Sequence, residues 1–327
     1  MIEFNKRNQR AWSLLGPSGA HGIAARELAK TNHDVIVLTS DLCFFSGLER
    51  FKMDYPNQLY NLGIAEQNMI GVAAGLAKEG FIPFANTYAS FCASRCADQV
   101  RVNMSYMKLP IKLVGLTAGY GAGILGATHV SIEDISLMRA LPNITVISPA
   151  DCTEIIKAML AAANTPDPTY IRLTGPMNTP IVYTGDYNFT IGKAVNIQKG
   201  EDVAIIATGS MVTQSIKTAK LLNEEGISCS VINMHTIKPL DVDTVMEANK
   251  NHKLIVTVEE HSVIGGLYSA VAECLCKEIK HKPVLPIGIN DYFIHAGTYL
   301  WQISQSGLDP ESMKKKIMKT ITNLIMI

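Results

Sequence analysis

Short runs of β-branched residues alternate with longer stretches of helical periodicity along the whole chain. In the first part the strand-like runs fall at 35–39, 58–62, 111–116, 145–148 and 169–173. Helical periodicity occupies 23–30, 66–78, 91–104, 132–140 and 153–162. Two of these stretches carry start signals. Ser131 stands three residues before Asp134, and Asp151 three before Glu154, the spacing of a capping box. Strands that take turns with helices predict a parallel sheet with helices on both faces.

Periodicity stops at 176–187, where prolines, Gly185 and Asp186 cluster. A second alternating block follows, with strands at 202–208, 229–233, 254–259 and 284–289. Its helices fall at 212–225, 240–249, 266–278 and 310–324. The predicted fold is α/β, with two domains, 1–185 and 186–327, each a mostly parallel sheet flanked by helices. A length of 327 residues is enough for two full cores.

Composition narrows the function. Hydrophobic residues are 47% and charged residues 18%, which predicts that partner chains cover much of the surface. The formal net charge is zero and no basic stripe interleaves with aromatics, so nothing points to nucleic acid. No apolar run approaches the roughly 20 residues of a membrane helix, and residues 1–10 are polar and basic, unlike a signal peptide. The seven Cys are scattered, and neither Cys92/Cys96 nor Cys274/Cys276 has zinc spacing. Both pairs sit in apolar stretches, which predicts buried free thiols in a cytoplasmic protein. No metal site is expected on this chain.

The segment Asn61-Leu62-Gly63-Ile64-Ala65-Glu66-Gln67-Asn68 carries the chemistry. It lies where a strand-like run meets an apolar helix, so Glu66 is expected in apolar surroundings. A carboxylate there needs a specific partner or a proton, because taking a charge out of water is costly. The plain alternative is a solvated Glu in a first helical turn, where the dipole favours it. Gly121-Ala122-Gly123-Ile124-Leu125-Gly126 has the G-x-G-x-x-G spelling. A dinucleotide site needs a helix at once and an acidic residue about 20 positions on, whereas a loop with Thr128 and His129 follows here.

Residues 61–76, 88–101, 126–151 and 258–266 resemble the C-terminal half of transketolases, above all those split between two genes. The motifs Gly-Ile-Ala-Glu-Gln, Glu-Asp-Ile-Ser-Leu-Met-Arg-Ala-Leu-Pro-Asn and Ser-Pro-Ala-Asp carry the likeness. It covers nearly the whole chain and implies a pyrimidine-binding domain followed by a transketolase C-terminal domain. The implied cofactor is thiamine diphosphate. The resemblance places Glu66 against N1′ of the aminopyrimidine ring, where a carboxyl group turns the 4′-nitrogen into a base for the thiazolium C2 proton. Tyr88 and Phe91 match rings that pack on the aminopyrimidine. Leu42 matches the apolar wedge that bends the cofactor, and Asp41 and Ile64 match neighbours at the same site. His129 matches a histidine that faces the ketol oxygens of the substrate. For each of these, core packing or a turn is the plain reading when the residue is taken alone. His261 is expected to be structural or a subunit contact.

The chain departs from ordinary transketolases at the sugar end. An acidic pair is replaced by Ile124 and Leu125, a phosphate-binding His by Thr117, and a phosphate-gripping Arg by Gly175. Arg172 is the candidate substitute. Phosphate recognition uses Arg or Lys charge and fork geometry, so the expectation is altered substrate recognition, for example of unphosphorylated or nucleotide-linked sugars. Gly-Asp-Gly, the family's diphosphate and magnesium signature, does not occur in the sequence. A partner N-terminal subunit is therefore expected to bind Mg2+ or a similar ion and share the cofactor, in an α2β2 assembly. The complex would move a two-carbon ketol unit from a ketose to an aldehyde. The alternatives are the β-subunit of a 2-oxoacid-decarboxylating thiamine enzyme and a catalytically idle scaffold subunit.

Overall fold

The computed structural model describes residues 2–325. Among them are twelve strands: β1 (Val35–Thr39), β2 (Leu59–Asn61), β3 (Ile82–Tyr88), β4 (Lys112–Ala118), β5 (Thr145–Ile147), β6 (Thr169–Thr174), β7 (Val195–Gln198), β8 (Val203–Ala207), β9 (Cys229–Asn233), β10 (Thr236–Lys238), β11 (Leu254–Ser262) and β12 (Val284–Ile289). They form a seven-stranded sheet, β10-β5-β6-β4-β3-β1-β2, and a five-stranded sheet, β12-β11-β8-β9-β7. All pairings are parallel except β10 with β5 and β7 with β9. The expected α/β architecture with two mostly parallel sheets is the one observed. Strand β10 comes from the second block yet extends the first sheet, so the two blocks share an edge.

Helices cover both faces of the first sheet, which is why β1 reads as an almost unbroken apolar run and β3, β4 and β6 are buried along most of their length. Successive side chains of β1 go to opposite cores. Val35 and Val37 join Trp12, Ile155 and Met159, from helices Lys6–Thr31 and Cys152–Ala163. Ile36 and Leu38 join Met69, Ile70, Cys92 and Met104, from helix Glu66–Lys78 and the helical segment 91–106. That segment is not the plain α-helix expected. It consists of π-helical turns at Phe91–Arg95 and Val100–Tyr106 around a short α turn at Ala97–Gln99. Strand β3 is absent from the sequence expectation, and its second residue, Pro83, is unusual in a central strand. Pairing with β4 begins only at Phe84, so the missing N–H of Pro83 leaves no gap on that side.

Of the two expected capping boxes, one forms with its return bond shifted to the residue before the cap. Asp151 Oδ1 accepts from Glu154 N at 2.9 Å, and Glu154 Oε2 accepts from Ala150 N at 2.7 Å. The Ser131–Asp134 box does not form, and Ser131 Oγ has no partner. Helix Asp134–Ala140 is capped from the second block instead. His261 Nε2 accepts from Ile135 N at 3.1 Å and Ser136 N at 3.4 Å, while Nδ1 donates to Ser262 O at 2.7 Å. That pattern fixes a neutral ring, and the structural reading of His261 agrees with it. Of the expected buried thiols, Cys92, Cys96 and Cys274 are buried but Cys276 is exposed. Among the described residues no helix is long and apolar enough to cross a membrane.

Asp134 also anchors the junction. Its Oδ2 accepts from Arg172 Nε and Tyr170 OH, both at 2.7 Å, and all three residues are buried. Arg172 Nη2 donates to Glu260 O at 2.9 Å and Ser131 O at 3.4 Å. Arg172 is therefore corrected from a substrate candidate to a structural latch, since its donors are committed inside the protein. Breaking a buried pair leaves an uncompensated charge, so Arg172→Ala should cost about 3–5 kcal/mol by chemical denaturation. Burial is the main force pushing the His261 pKa down, from 6.5 to about 4. The folded state thus favours the neutral ring, and this stability is present above pH 6.5 and lost as pH falls through about 4. Melting curves across that window should show the loss in the native chain and a smaller one in His261→Gln.

Candidate active site

The carboxyl ends of β1, β2, β3 and β4 lie side by side, with β1 between β2 and β3. The chain leaves β1 towards one edge and returns at β3 on the other side, and open parallel sheets bind ligands outside such a switch point. A cavity of about 370 Å³ opens there, lined by Ser40, Asp41, Leu42, Ile64, Glu66, Thr87, Tyr88, Phe91, Arg95 and His129.

Asn61 ties the β1 and β2 ends together. Its Oδ1 accepts from Asp41 N at 3.0 Å and Gly63 N at 3.1 Å, and its Nδ2 donates to Asp41 Oδ1 at 3.1 Å. These bonds hold Asp41 at φ 57°, a left-handed conformation that Asp tolerates when its side chain bonds locally. Glu66 is the first residue of helix Glu66–Lys78 and is 3% exposed. It combines both sequence readings: it sits in a first turn, but buried and partnered. Arg95 Nη1 donates to Glu66 Oε1 at 2.7 Å.

Tyr88 and Phe91 meet edge to face at 5.8 Å, and His129 packs against them at 5.4 and 5.3 Å. Burial raises the Tyr88 pKa above its ordinary value. The His129 loop turns at Gly126, whose φ of 72° suits glycine. This 3-10 loop occupies the G-x-G-x-x-G spelling, so no dinucleotide helix starts there. Thr128 Oγ1 lies 2.9 Å from His129 Nδ1, leaving Nε2 as the ring atom without a protein partner among the described residues. Residues of the second block steady the loop: Glu260 Oε1 accepts from Tyr120 N at 2.6 Å, and Gly297 N donates to Gly123 O at 3.1 Å.

The structure thus gathers Asp41, Leu42, Ile64, Glu66, Tyr88, Phe91 and His129 around one cavity. Thr117, Leu125 and Arg172 are not among its lining residues. Leu125 lies on the His129 loop and is 48% exposed. Thr117, next to last in β4, has φ 50°, unusual for a β-branched residue, with a buried hydroxyl that has no partner. Sequence reasoning missed Ser40, Thr87 and Arg95. Arg95 follows Phe91 by four residues, a spacing that signals stacking, but its pairing with Glu66 across 29 positions leaves no local trace. The cavity fits a flat, partly polar heterocycle. It has aromatic and apolar walls, a carboxylate oxygen that receives no protein donor, and an orphaned Thr87 hydroxyl.

Known families match the chain in the same order. The transketolase pyrimidine-binding domain matches residues 18–178, and the transketolase C-terminal domain matches residues 192–313. The chain belongs to the transketolase family and corresponds to the C-terminal component of split transketolases, within a family that depends on thiamine diphosphate. It is 39% identical over 273 residues to the 6-deoxy-6-sulfo-D-fructose transketolase subunit SqwH of a Clostridium species, covering 83% of this chain and 84% of that one. It is 35% identical over 296 residues to an apulose-4-phosphate transketolase subunit of Phocaeicola vulgatus, covering 90% and 94%. A solved structure described as a split gene transketolase, inactive β4 tetramer, superposes with a TM-score of 0.84 at 38% identity, covering 93% and 97%. Asn61→Ala should cost about 0.5–1.5 kcal/mol in denaturation, the net worth of solvent-exposed hydrogen bonds, and speed amide exchange at Asp41 and Gly63. Unchanged exchange at both would show that other contacts hold this edge.

Proposed function

We propose that this chain is the cofactor-activating subunit of a two-component, thiamine diphosphate-dependent transketolase. The complex transfers a two-carbon ketol unit from a ketose to an aldehyde. The observation that carries this reading is Glu66, a buried carboxylate with one oxygen free, in an aromatic-walled cavity at the end of a parallel sheet. Thiamine diphosphate, when bound, supplies the carbon nucleophile that cleaves a ketose beside its carbonyl. Glu66 shares a proton with the aminopyrimidine ring nitrogen through its free oxygen. Tyr88 and Phe91 stack on that ring, while Leu42 and Ile64 exclude water. His129 presents Nε2 to the sugar oxygens and moves a proton there.

The diphosphate and its Mg2+ belong, in this reading, to a partner N-terminal subunit in an α2β2 assembly. The description of the related β4 tetramer as inactive supports this. The pyrimidine-binding and C-terminal domains divide near residue 185, within the irregular stretch between β6 and β7. The donor is a ketose whose far end is not gripped by the usual phosphate contacts, since Gly175 and Thr117 stand at those places and Arg172 is committed inside. Unphosphorylated and nucleotide-linked sugars fit; the relatives' names point both ways, to a sulfonated sugar in the Clostridium protein and to a phosphorylated one in the Phocaeicola protein.

The test is co-expression with an N-terminal transketolase subunit followed by calorimetry with thiamine diphosphate and Mg2+. Tight binding by the complex and none by either chain alone is expected. Glu66→Ala should lower ketol transfer by about 10²–10⁴-fold, the scale of a lost proton-handling group. Unchanged transfer in that variant would leave a scaffold role, and carbon dioxide release from pyruvate would indicate a decarboxylating complex. Efficient turnover of ordinary ketose phosphates would contradict the altered substrate recognition.

A further inference from the structure

The two oxygens of Glu66 have different surroundings. Oε1 accepts a charge-assisted hydrogen bond from Arg95 Nη1 at 2.7 Å. Among the described residues no protein group donates to Oε2, although Glu66 lines the cavity. A terminal carboxylate torsion is broad and two-fold, so a single unpartnered carboxylate has no fixed plane. One strong bond to Oε1 fixes that plane and leaves Oε2 as the oxygen a ligand meets.

Arg95 is itself constrained. Its guanidinium carbon lies 3.9 Å from the Phe91 ring centroid, which holds the cation over an aromatic wall of the cavity. Its carbonyl accepts from Gln67 Nε2 at 3.0 Å, so the residue beside Glu66 grips the turn that carries Arg95. The turn is π-helical over Phe91–Arg95, with Cys96 N donating to Phe91 O at 3.1 Å. Widened turns of this kind recur at functional sites. The side chain of Arg95 is 44% exposed against 4% for Glu66, so the pair joins a half-exposed cation to a fixed, buried anion.

We propose that Arg95 is a positioning residue. It remains on Oε1 of Glu66 and so presents Oε2 to the ring nitrogen of the bound cofactor. This rests on the thiamine diphosphate reading of the cavity given above. Arg95 sets cofactor affinity through Glu66, not through a bond of its own to the cofactor.

The experiment is a double-mutant cycle on the assembled two-component complex, read as thiamine diphosphate affinity by calorimetry in the presence of Mg2+. The variants are Arg95→Met, Glu66→Gln and the two combined, with Arg95→Lys as the charge-keeping control. Arg95→Met should weaken binding by about 10–100-fold, the scale of a hydrogen bond to a charged group. Arg95→Lys should recover part of the loss. In the Glu66→Gln background, removing Arg95 should change affinity by less than about threefold, because its effect passes through the carboxylate. Equal losses in both backgrounds would overturn the proposal and assign Arg95 to stacking or direct cofactor contact, and wild-type affinity in Arg95→Met would overturn it outright. If Arg95→Met fails to assemble, Arg95→Lys with and without Glu66→Gln completes the same cycle. Absence of cofactor binding in the unmodified complex would sink the cofactor reading itself, an outcome separate from either of these.

Discussion

The buried pair of Asp134 and Arg172 is the interaction on which the rest of the structure depends. Arg172 stands on β6 in the middle of the first sheet, and Asp134 opens the helix that follows the His129 loop. The same guanidinium holds the carbonyls of Ser131 and Glu260, one from each block of the chain. The exit of the His129 loop and the docking of the second sheet are thereby set by one side chain. Replacing such a pair with apolar residues is often neutral, whereas removing one partner is expensive. Its value here is therefore geometric: it admits one arrangement of loop and sheets.

That arrangement gives the second sheet a part in a site it does not line. Glu260 accepts from Tyr120 N at the start of the loop and is itself bonded by Ser210 and by Tyr299 OH. His261, the next residue, caps the helix after the loop. Both ends of the segment bearing His129 are thus gripped from the second block, while its middle presents Ile124 and Leu125 to solvent. Ile64, which lines the cavity, is also more than half exposed, as are Phe44 and Phe45 in the segment that follows Leu42. Apolar surface of this extent around a half-formed site is what a second subunit would cover.

Much of this is legible in the sequence. The alternation of strands and helices points to the α/β class. The Glu66 segment stands out because it joins a strand end to an apolar helix. The nearly unbroken apolar runs of β1 and β8 reflect burial on both faces, a signal that survives without any neighbour being known. What stays hidden depends on partners distant in sequence. Ser131 has the spacing of a cap, but His261 reaches the helix amides first. Arg172 looks available for phosphate because nothing local shows that Asp134 and two carbonyls enclose it. Strand β3 carries Pro83, a residue unusual in a central strand, and β10 is hidden by its brevity and its membership of the other sheet.

On the proposal above, Glu66 meets the cofactor ring from this cavity, and another chain supplies the remainder of the site. A structure of the assembled complex with thiamine diphosphate and Mg2+ tests this most directly. The predicted result is the aminopyrimidine ring between Leu42 and the Tyr88–Phe91 wall, its ring nitrogen on Glu66 Oε2, and the metal held entirely by the partner. A ring seated away from Glu66, or a diphosphate and metal bound by this chain, would contradict it.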